Sequence, residues 1–240
     1  MLLRPTPNVT WNLFLAIVPV ILAFVIARGV RRERQNTGTV QWLLWGPLAG
    51  VWLAFLPNSC YLLTEWRHYF ETLTKSPLYA QAHQGGDGRL DFFVVTGFYL
   101  VYSGAGLLAF FLAVWPLDRL TRPRLGRLGA VLRPLIFPLC ALGVYLGLMR
   151  GRFNSWDLVS GARVADLLAT TAQVFQRPTL LLFILLFGAL LWLFYAAFDI
   201  WMDGLAWRLS QRRSRSHPNN PFEDAVSEDF TEKDQTHASV

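Results

Sequence analysis

The sequence predicts an all-α polytopic membrane protein, with about five transmembrane helices and two short interfacial helices on the outer face. Composition is the first observation. Globular chains carry about 25% charged and 45–50% apolar residues, whereas this chain of 240 residues has 16% charged and 53% hydrophobic residues. The second observation is that the apolar residues occur in long blocks. Such blocks suit a bilayer better than the core of a water-soluble domain.

Five apolar runs are long enough, or nearly so, to cross the hydrocarbon core of a bilayer. We place the spans at residues 11–27, 40–60, 92–115, 131–149 and 179–200. Arginines follow the first run instead of preceding it, which predicts a retained span and not a removed signal peptide. Pro57 is expected to end or kink the second span, because proline lacks the amide hydrogen that a helix uses.

Small residues in the third and fourth spans predict close helix packing. The third span contributes Gly97, Gly104 and Gly106, and the fourth contributes a stripe of Gly143, Gly147 and Gly151. The stripe could face a neighbouring helix of the bundle or another chain. Cys60 and Cys140 provide neither a disulfide framework nor a paired metal motif, and Cys140 is interpreted as a small buried hydrophobe.

Basic residues are concentrated in the connections, which predicts an orientation. The connection after the first span, the connection 116–133 and the C-terminal flank carry four, five and four basic residues. The opposite side receives one, three and four. The positive-inside rule then places the N-terminus outside and the C-terminus inside. The same rule accounts for the net charge of +6 without a nucleic-acid partner.

The chain is therefore divided into a transmembrane domain, residues 1–210, and a polar, acidic segment, residues 211–240, that we expect to be a disordered cytoplasmic tail. Two outer connections, residues 62–73 and 163–175, place their apolar side chains on one helical face. Neither is long enough to span, so both are predicted to lie in the outer interface.

A polar segment, Phe55 to His68, interrupts the apolar pattern and reads FLPNSCYLLTEWRH. Glu65 and His68 are three positions apart, so their side chains meet on a helix. A carboxylate beside an imidazole can act as an acid/base pair or supply two metal ligands. A charge pair at a wet interface is the alternative interpretation.

A second polar segment, Arg150 to Asp157 (RGRFNSWD), follows the fourth span on the same predicted side. Buried polar groups in a membrane must satisfy one another. A structural network, such as Arg152 with Glu65, would meet that need, as would Asn58 capping a broken helix end. The alternative is a metal or hydrolytic site. Its candidate metal ligands are Glu65, His68, Asp91 and Asp157.

In a catalytic site, Glu65 or Asp157 would be the general base or a metal ligand, and His68 would be a ligand or the acid. Arg152 would hold an anionic group such as a lipid phosphate. The candidate catalytic residues are thus Glu65, His68 and Asp157, with an unidentified cofactor for which a divalent metal is one candidate.

The two segments resemble the signature segments of a bacterial integral membrane family called domain of unknown function 1361. The first matches at Pro57, Asn58, Tyr61, Thr64 and His68, and the second at Gly151, Arg152, Phe153, Asn154, Ser155, Trp156 and Asp157. Glu65 replaces the usual aspartate, and Cys60 stands where proline is common. The resemblance covers about residues 11–210 and implies a multi-pass bacterial membrane protein without an assigned activity. The candidate binding residues are Asn58, Tyr61, Thr64, Arg152, Asn154 and Trp156.

These observations lead to one functional hypothesis and one alternative. The hypothesis is a multi-pass bacterial inner-membrane protein with a metal- or lipid-headgroup-binding site on the extracytoplasmic face. Its partners would be the lipid bilayer and either a lipid headgroup or another membrane protein. The alternative is a non-catalytic scaffold, partner subunit or transport component with structural polar clusters. A proton-coupled carrier fits less well, because the middle of the spans holds almost no ionisable residues.

Overall fold

Helices account for the regular structure of the described residues, which in this computed structural model are 7–32, 39–75, 86–148, 153, 155, 157, 161 and 163–216. The helices are α1 (Pro7–Arg32), α2 (Thr39–Tyr61), a 3-10 helix (Leu62–Glu65), α3 (Trp66–Lys75), α4 (Asp87–Leu148), α5 (Val164–Phe175) and α6 (Pro178–Ser216). An all-α fold is therefore confirmed.

Five helical stretches are long and apolar enough to cross a membrane: Val9–Arg32, Leu44–Thr74, Gly88–Pro123, Gly129–Leu148 and Pro178–Gln211. Each overlaps one of the apolar runs. Large apolar side chains such as Leu186 and Leu193 point outward from α6, which suits contact with lipid and not with water. The chain is thus a multi-pass membrane protein. α6 ends at Ser216, inside the segment expected to be the tail, and residues 217–240 lie outside the described residues.

Helices continue through several prolines of this chain. The connection 116–133 is helical, and α4 passes through Pro116 and Pro123 before it breaks at Gly126 (φ 47°, ψ −127°). A positive φ of this kind favours glycine, which has no Cβ to clash with the following carbonyl. We call the parts of α4 before and after Gly126 its first and second arms. Likewise, α2 continues through Pro57 to Tyr61. Of the two effects expected of Pro57, an end or a kink, the end therefore does not occur.

Close packing against α2 explains two of the glycines. A Cβ at Gly143 would lie 2.3 Å from Cγ of Pro57, and one at Gly106 would lie 2.7 Å from the Ser59 carbonyl oxygen. Gly143, the first glycine of the stripe, thus packs inside the bundle. Gly151 lies outside the described residues. Cβ atoms at Gly97 and Gly104 would meet open space, so neither glycine is the close-packing site expected.

The buried cysteines also join α2 to α4. Sγ of Cys140 lies 3.5 Å from Sγ of Cys60, and both thiols are free and inaccessible. Burial of Cys140 was expected from the sequence. The contact between the two cysteines was not.

The short helices pack onto the longer ones by a few residues each. Tyr69 of α3 packs against Val95 of α4, and its hydroxyl lies 2.9 Å from Oγ1 of Thr96. Val174 of α5 is buried against Ala141 and Ile184. Both helices keep large apolar side chains exposed, such as Phe70 and Leu168. Their place in the outer interface stays a prediction.

The chain divides into two units, residues 1–195 and 196–240. The first unit contains α1 to α5 and the beginning of α6, and it holds every site described below. The described part of the second unit is the remainder of α6.

Candidate functional site

The two polar segments of the sequence come together at one end of the bundle. Nδ2 of Asn58 donates a hydrogen bond of 2.8 Å to Oγ of Ser155, across 97 positions of the chain. The Tyr61 ring and the Phe153 carbonyl oxygen both lie against Gly147. The end of α2, which lies within the first segment, is therefore held against the end of α4, after which the second segment begins. We call this region the outer site, after the side of the membrane on which the sequence analysis places it.

Glu65 and His68 form one part of the outer site. His68 Nε2 lies 3.9 Å from Oε2 of Glu65, and its Nδ1 lies 3.8 Å from Oε2 of Glu71. Side-chain exposure is 18% for Glu65 and 51% for His68, so the carboxylate is sheltered while the imidazole faces outward. An imidazole between two carboxylates can exchange a proton with a bound group and keep its positive charge compensated.

The sheltered side of Glu65 is lined with neutral polar groups. Nδ2 of Asn12 in α1 lies 3.5 Å from Oε1 of Glu65. The side chains of Tyr99 and Tyr102, both on α4, lie near the same carboxylate, and the Tyr102 hydroxyl also lies beside Asn12. The sequence analysis did not connect either tyrosine to Glu65.

The second segment contributes Asp157, which lies beside Arg163, an arginine outside the segment that the sequence analysis missed. Asp157 Oδ2 lies 3.9 Å from Nη1 of Arg163, whose guanidinium sits 4.4 Å from the centroid of the Phe153 ring. Arg163 also lies 3.7 Å from Asp166. In the sequence, the only feature that could have pointed to Arg163 was its position just before α5. The candidates Arg152, Asn154 and Trp156 lie outside the described residues.

The remaining candidates are placed as follows. Thr64 donates its hydroxyl hydrogen to the Tyr61 carbonyl oxygen at 2.7 Å, which anchors the 3-10 helix. Asp91 lies in the first turns of α4. Within the described part of the chain, no group of three or more His, Cys, Asp or Glu side chains could hold one metal ion. The four-ligand metal hypothesis stays a prediction.

A second polar cluster lies at the opposite end of the bundle and was not predicted. The Asp118 side chain, 8% exposed, accepts hydrogen bonds at Oδ2 from Arg122 (2.9 and 2.7 Å) and from the Tyr195 hydroxyl (2.7 Å). Nη1 of Arg133 lies 3.5 Å from Oδ1. Because Arg122 and Arg133 belong to different arms of α4, this carboxylate cluster fixes the geometry of the break.

The carboxylate cluster borders a cavity of about 820 Å³. Apolar side chains make up most of its wall, and among the described residues its charged lining side chains are Asp118, Arg122 and Arg133. Three tryptophans also line it: Trp45, Trp52 and Trp192. We call it the inner cavity.

The helices and their apolar surfaces define an all-α multi-pass membrane protein with a polar site at one end and a lined cavity at the other. The chain belongs to the family described as "Protein of unknown function (DUF1361)", whose model matches residues 11–194. This confirms the resemblance drawn from the two segments. No curated protein and no solved structure matches the chain.

Proposed function

We propose that this protein binds the phosphate-bearing headgroup of a membrane lipid at the outer site, on the extracytoplasmic face of a bacterial inner membrane. The observation that supports the proposal best is the Asn58–Ser155 hydrogen bond. It joins a polar residue near the end of α2 to a polar residue that follows the second arm of α4. We place this junction at the depth of the lipid headgroups, between hydrocarbon and water.

The charges of the outer site suit a headgroup that carries both a phosphate and hydroxyl groups. Arg163, stacked on Phe153, is oriented by two carboxylates, and Arg152 is the proposed phosphate ligand, since guanidinium groups bind phosphate bidentately. Glu65 and His68 would bind the hydroxyls. If the bound lipid is also a substrate, Glu65 or Asp157 is the candidate base and His68 the candidate acid.

A structural role is the second candidate, and close packing supports it. Pro57 of the first segment packs against Gly143 with no room for a side chain there, and Asn58 satisfies Ser155 without any ligand. In that case the two segments would fix the helix arrangement of a scaffold, a partner subunit or a transport component.

The two candidates differ in what His68→Ala does. We would titrate the detergent-purified chain with glycerol 3-phosphate, a headgroup without tails, and follow binding by calorimetry and folding by thermal unfolding. The proposal expects His68→Ala and Glu65→Gln to fold normally and to weaken binding at least about tenfold, through loss of a charge-assisted hydrogen bond. Arg67→Ala is the matched control, because Arg67 is exposed on the same helix, and it should bind as the wild type does.

Two results would contradict headgroup binding. One is the absence of glycerol 3-phosphate binding to the folded wild type. The other is loss of folding in His68→Ala with Arg67→Ala unaffected, which would favour the structural role.

A further inference from the structure

The inner cavity is built from four helices of the first unit and is far larger than a packing defect. Its volume of about 820 Å³ falls within the range of about 300–1,000 Å³ typical of small-molecule pockets. Ile26 and Val30 come from α1, Trp45 to Trp52 from α2, and Trp192 and Tyr195 from α6. Both arms of α4 close the remaining side.

One part of the wall is rigid and apolar. Trp52 is buried, and its indole nitrogen donates to the Ala113 carbonyl oxygen at 3.1 Å. The indole is therefore fixed and already satisfied, so it presents an apolar ring to the cavity. Val114 and Phe137 extend this surface on the two arms of α4. An apolar wall of this kind suits the hydrocarbon chain of a ligand.

The other part of the wall carries net positive charge. Two guanidinium groups, Arg122 and Arg133, face a single carboxylate, Asp118. Asp118 orients both arginines, and the Tyr195 hydroxyl holds the carboxylate in turn. A partly enclosed site with more cationic than anionic groups favours a negatively charged ligand group. The polar wall lies on the two sides of the α4 break. Its three charged residues belong to the connection 116–133, in which basic residues are most frequent.

We propose that the inner cavity binds an anionic amphiphile, with its hydrocarbon chain along the apolar wall and its acidic headgroup at Arg122 and Arg133. This inference is independent of the outer site, because the five membrane crossings place the two sites at opposite ends of the bundle. It gives the protein a lipid site on the face where we place the cytoplasm.

Gly46 offers a direct way to fill the cavity. It lies in the cavity wall, and a Cβ built on it meets no atom within 4 Å. Gly50, on the same helix, also has open space around its Cβ and is not part of the wall. Gly46→Phe and Gly50→Phe are therefore a matched pair, which differs in whether the new ring enters the cavity. Ala49→Phe is a second filling variant if Gly46→Phe fails to fold.

The experiment is native mass spectrometry of the full detergent-purified chain, titrated with three probes. Dioleoyl phosphatidylglycerol and dioleoyl phosphatidylcholine have the same tails and differ in net charge, and dodecyl phosphate has an anionic group on one chain. Wild type is expected to bind one molecule of the anionic lipid about tenfold more tightly than the zwitterionic one, through charge-assisted bonds. Gly46→Phe should lose that binding, and Gly50→Phe should keep it. Dodecyl phosphate binding as tightly as the phospholipid identifies a single-chain ligand, and weaker binding identifies a two-chain lipid.

Three results would overturn the proposal. Equal binding of the two dioleoyl lipids would show that the site does not select an anionic headgroup. Equal binding by Gly46→Phe and Gly50→Phe, with both folded, would show that the lipid binds outside the cavity. A dimer of this chain that carries no lipid and is lost in Gly46→Phe would show that a second copy fills the space.

Discussion

Gly143 and Pro57 are in contact at the point where α2 meets the second arm of α4. A Cβ at Gly143 would lie 2.3 Å from Cγ and 2.8 Å from Cβ of Pro57, and the pyrrolidine ring cannot swing away as a flexible side chain would. We therefore predict that Gly143→Ala lowers the free energy of unfolding by about 1–3 kcal/mol, the usual cost of overpacking.

Gly104→Ala is the control for that substitution. Gly104 is also helical, but a Cβ there meets no atom within 4 Å, so alanine should be neutral or slightly stabilising through its helix propensity. Chemical unfolding of the detergent-solubilised chain measures both. Equal stability of the two variants would contradict the packing described here.

The Asn58–Ser155 hydrogen bond gives a second prediction at the scale of single residues. A double-mutant cycle with Asn58→Ala and Ser155→Ala should give a coupling energy of about 0.5–1.5 kcal/mol, the net value of one partly buried hydrogen bond. The pair Asn58→Ala and Thr74→Ala, with Thr74 exposed on α3, should show no coupling. Additive effects in the first pair would mean that the two segments do not meet.

Single residues also show which contacts can be predicted from the sequence and which cannot. Glu65 and His68 could be paired from their spacing, since a helical turn brings such positions together. The bond from Tyr195 to Asp118 joins positions 77 apart, and no local pattern encodes it. Asp118 and Arg122, four positions apart, were a detectable pair, but the arginines around them were attributed to the positive-inside rule alone.

At the scale of helices, the carboxylate cluster joins the two arms of α4. Asp118 and Arg122 lie on the first arm and Arg133 on the second, so the cluster bridges the break at Gly126. The apolar runs expected at 92–115 and 131–149 each overlap a helical stretch long enough to cross a membrane. The helical form of the connection was not predicted, because its arginines showed only that it lies between two spans, and no local pattern placed the break at Gly126.

Removal of the cluster should therefore destabilise the protein in graded steps. Tyr195→Phe deletes one donor and should cost about 1.5 kcal/mol, whereas Asp118→Asn removes the charge that holds both arginines and should cost about 3 kcal/mol. Thermal unfolding in one detergent measures both. A Tyr195→Phe variant less stable than Asp118→Asn would show that the hydroxyl, and not the carboxylate, organises this end of the bundle.

At the scale of the whole molecule, two ends of one bundle carry different chemistry. The outer site has carboxylates, an imidazole and hydroxyls, and the inner cavity has hydrocarbon walls and two arginines. The five crossings were predictable, because blocks of apolar residues are a strong local signal. The inner cavity was not, because it arises from helices that are distant in sequence and leave space between them.

The orientation of the chain decides which end of the bundle faces the outside of the cell. Labelling of introduced cysteines tests this orientation. Arg31, at the end of α1, and Arg67, on α3, are exposed at opposite ends of the bundle, while the native cysteines are buried and give a low background. With the N-terminus outside, a membrane-impermeant maleimide should label Arg67→Cys in intact bacterial cells. It should label Arg31→Cys only after the cells are permeabilised. The reverse pattern would place the outer site in the cytoplasm and the inner cavity outside, and labelling of both in intact cells would contradict the five-span topology itself.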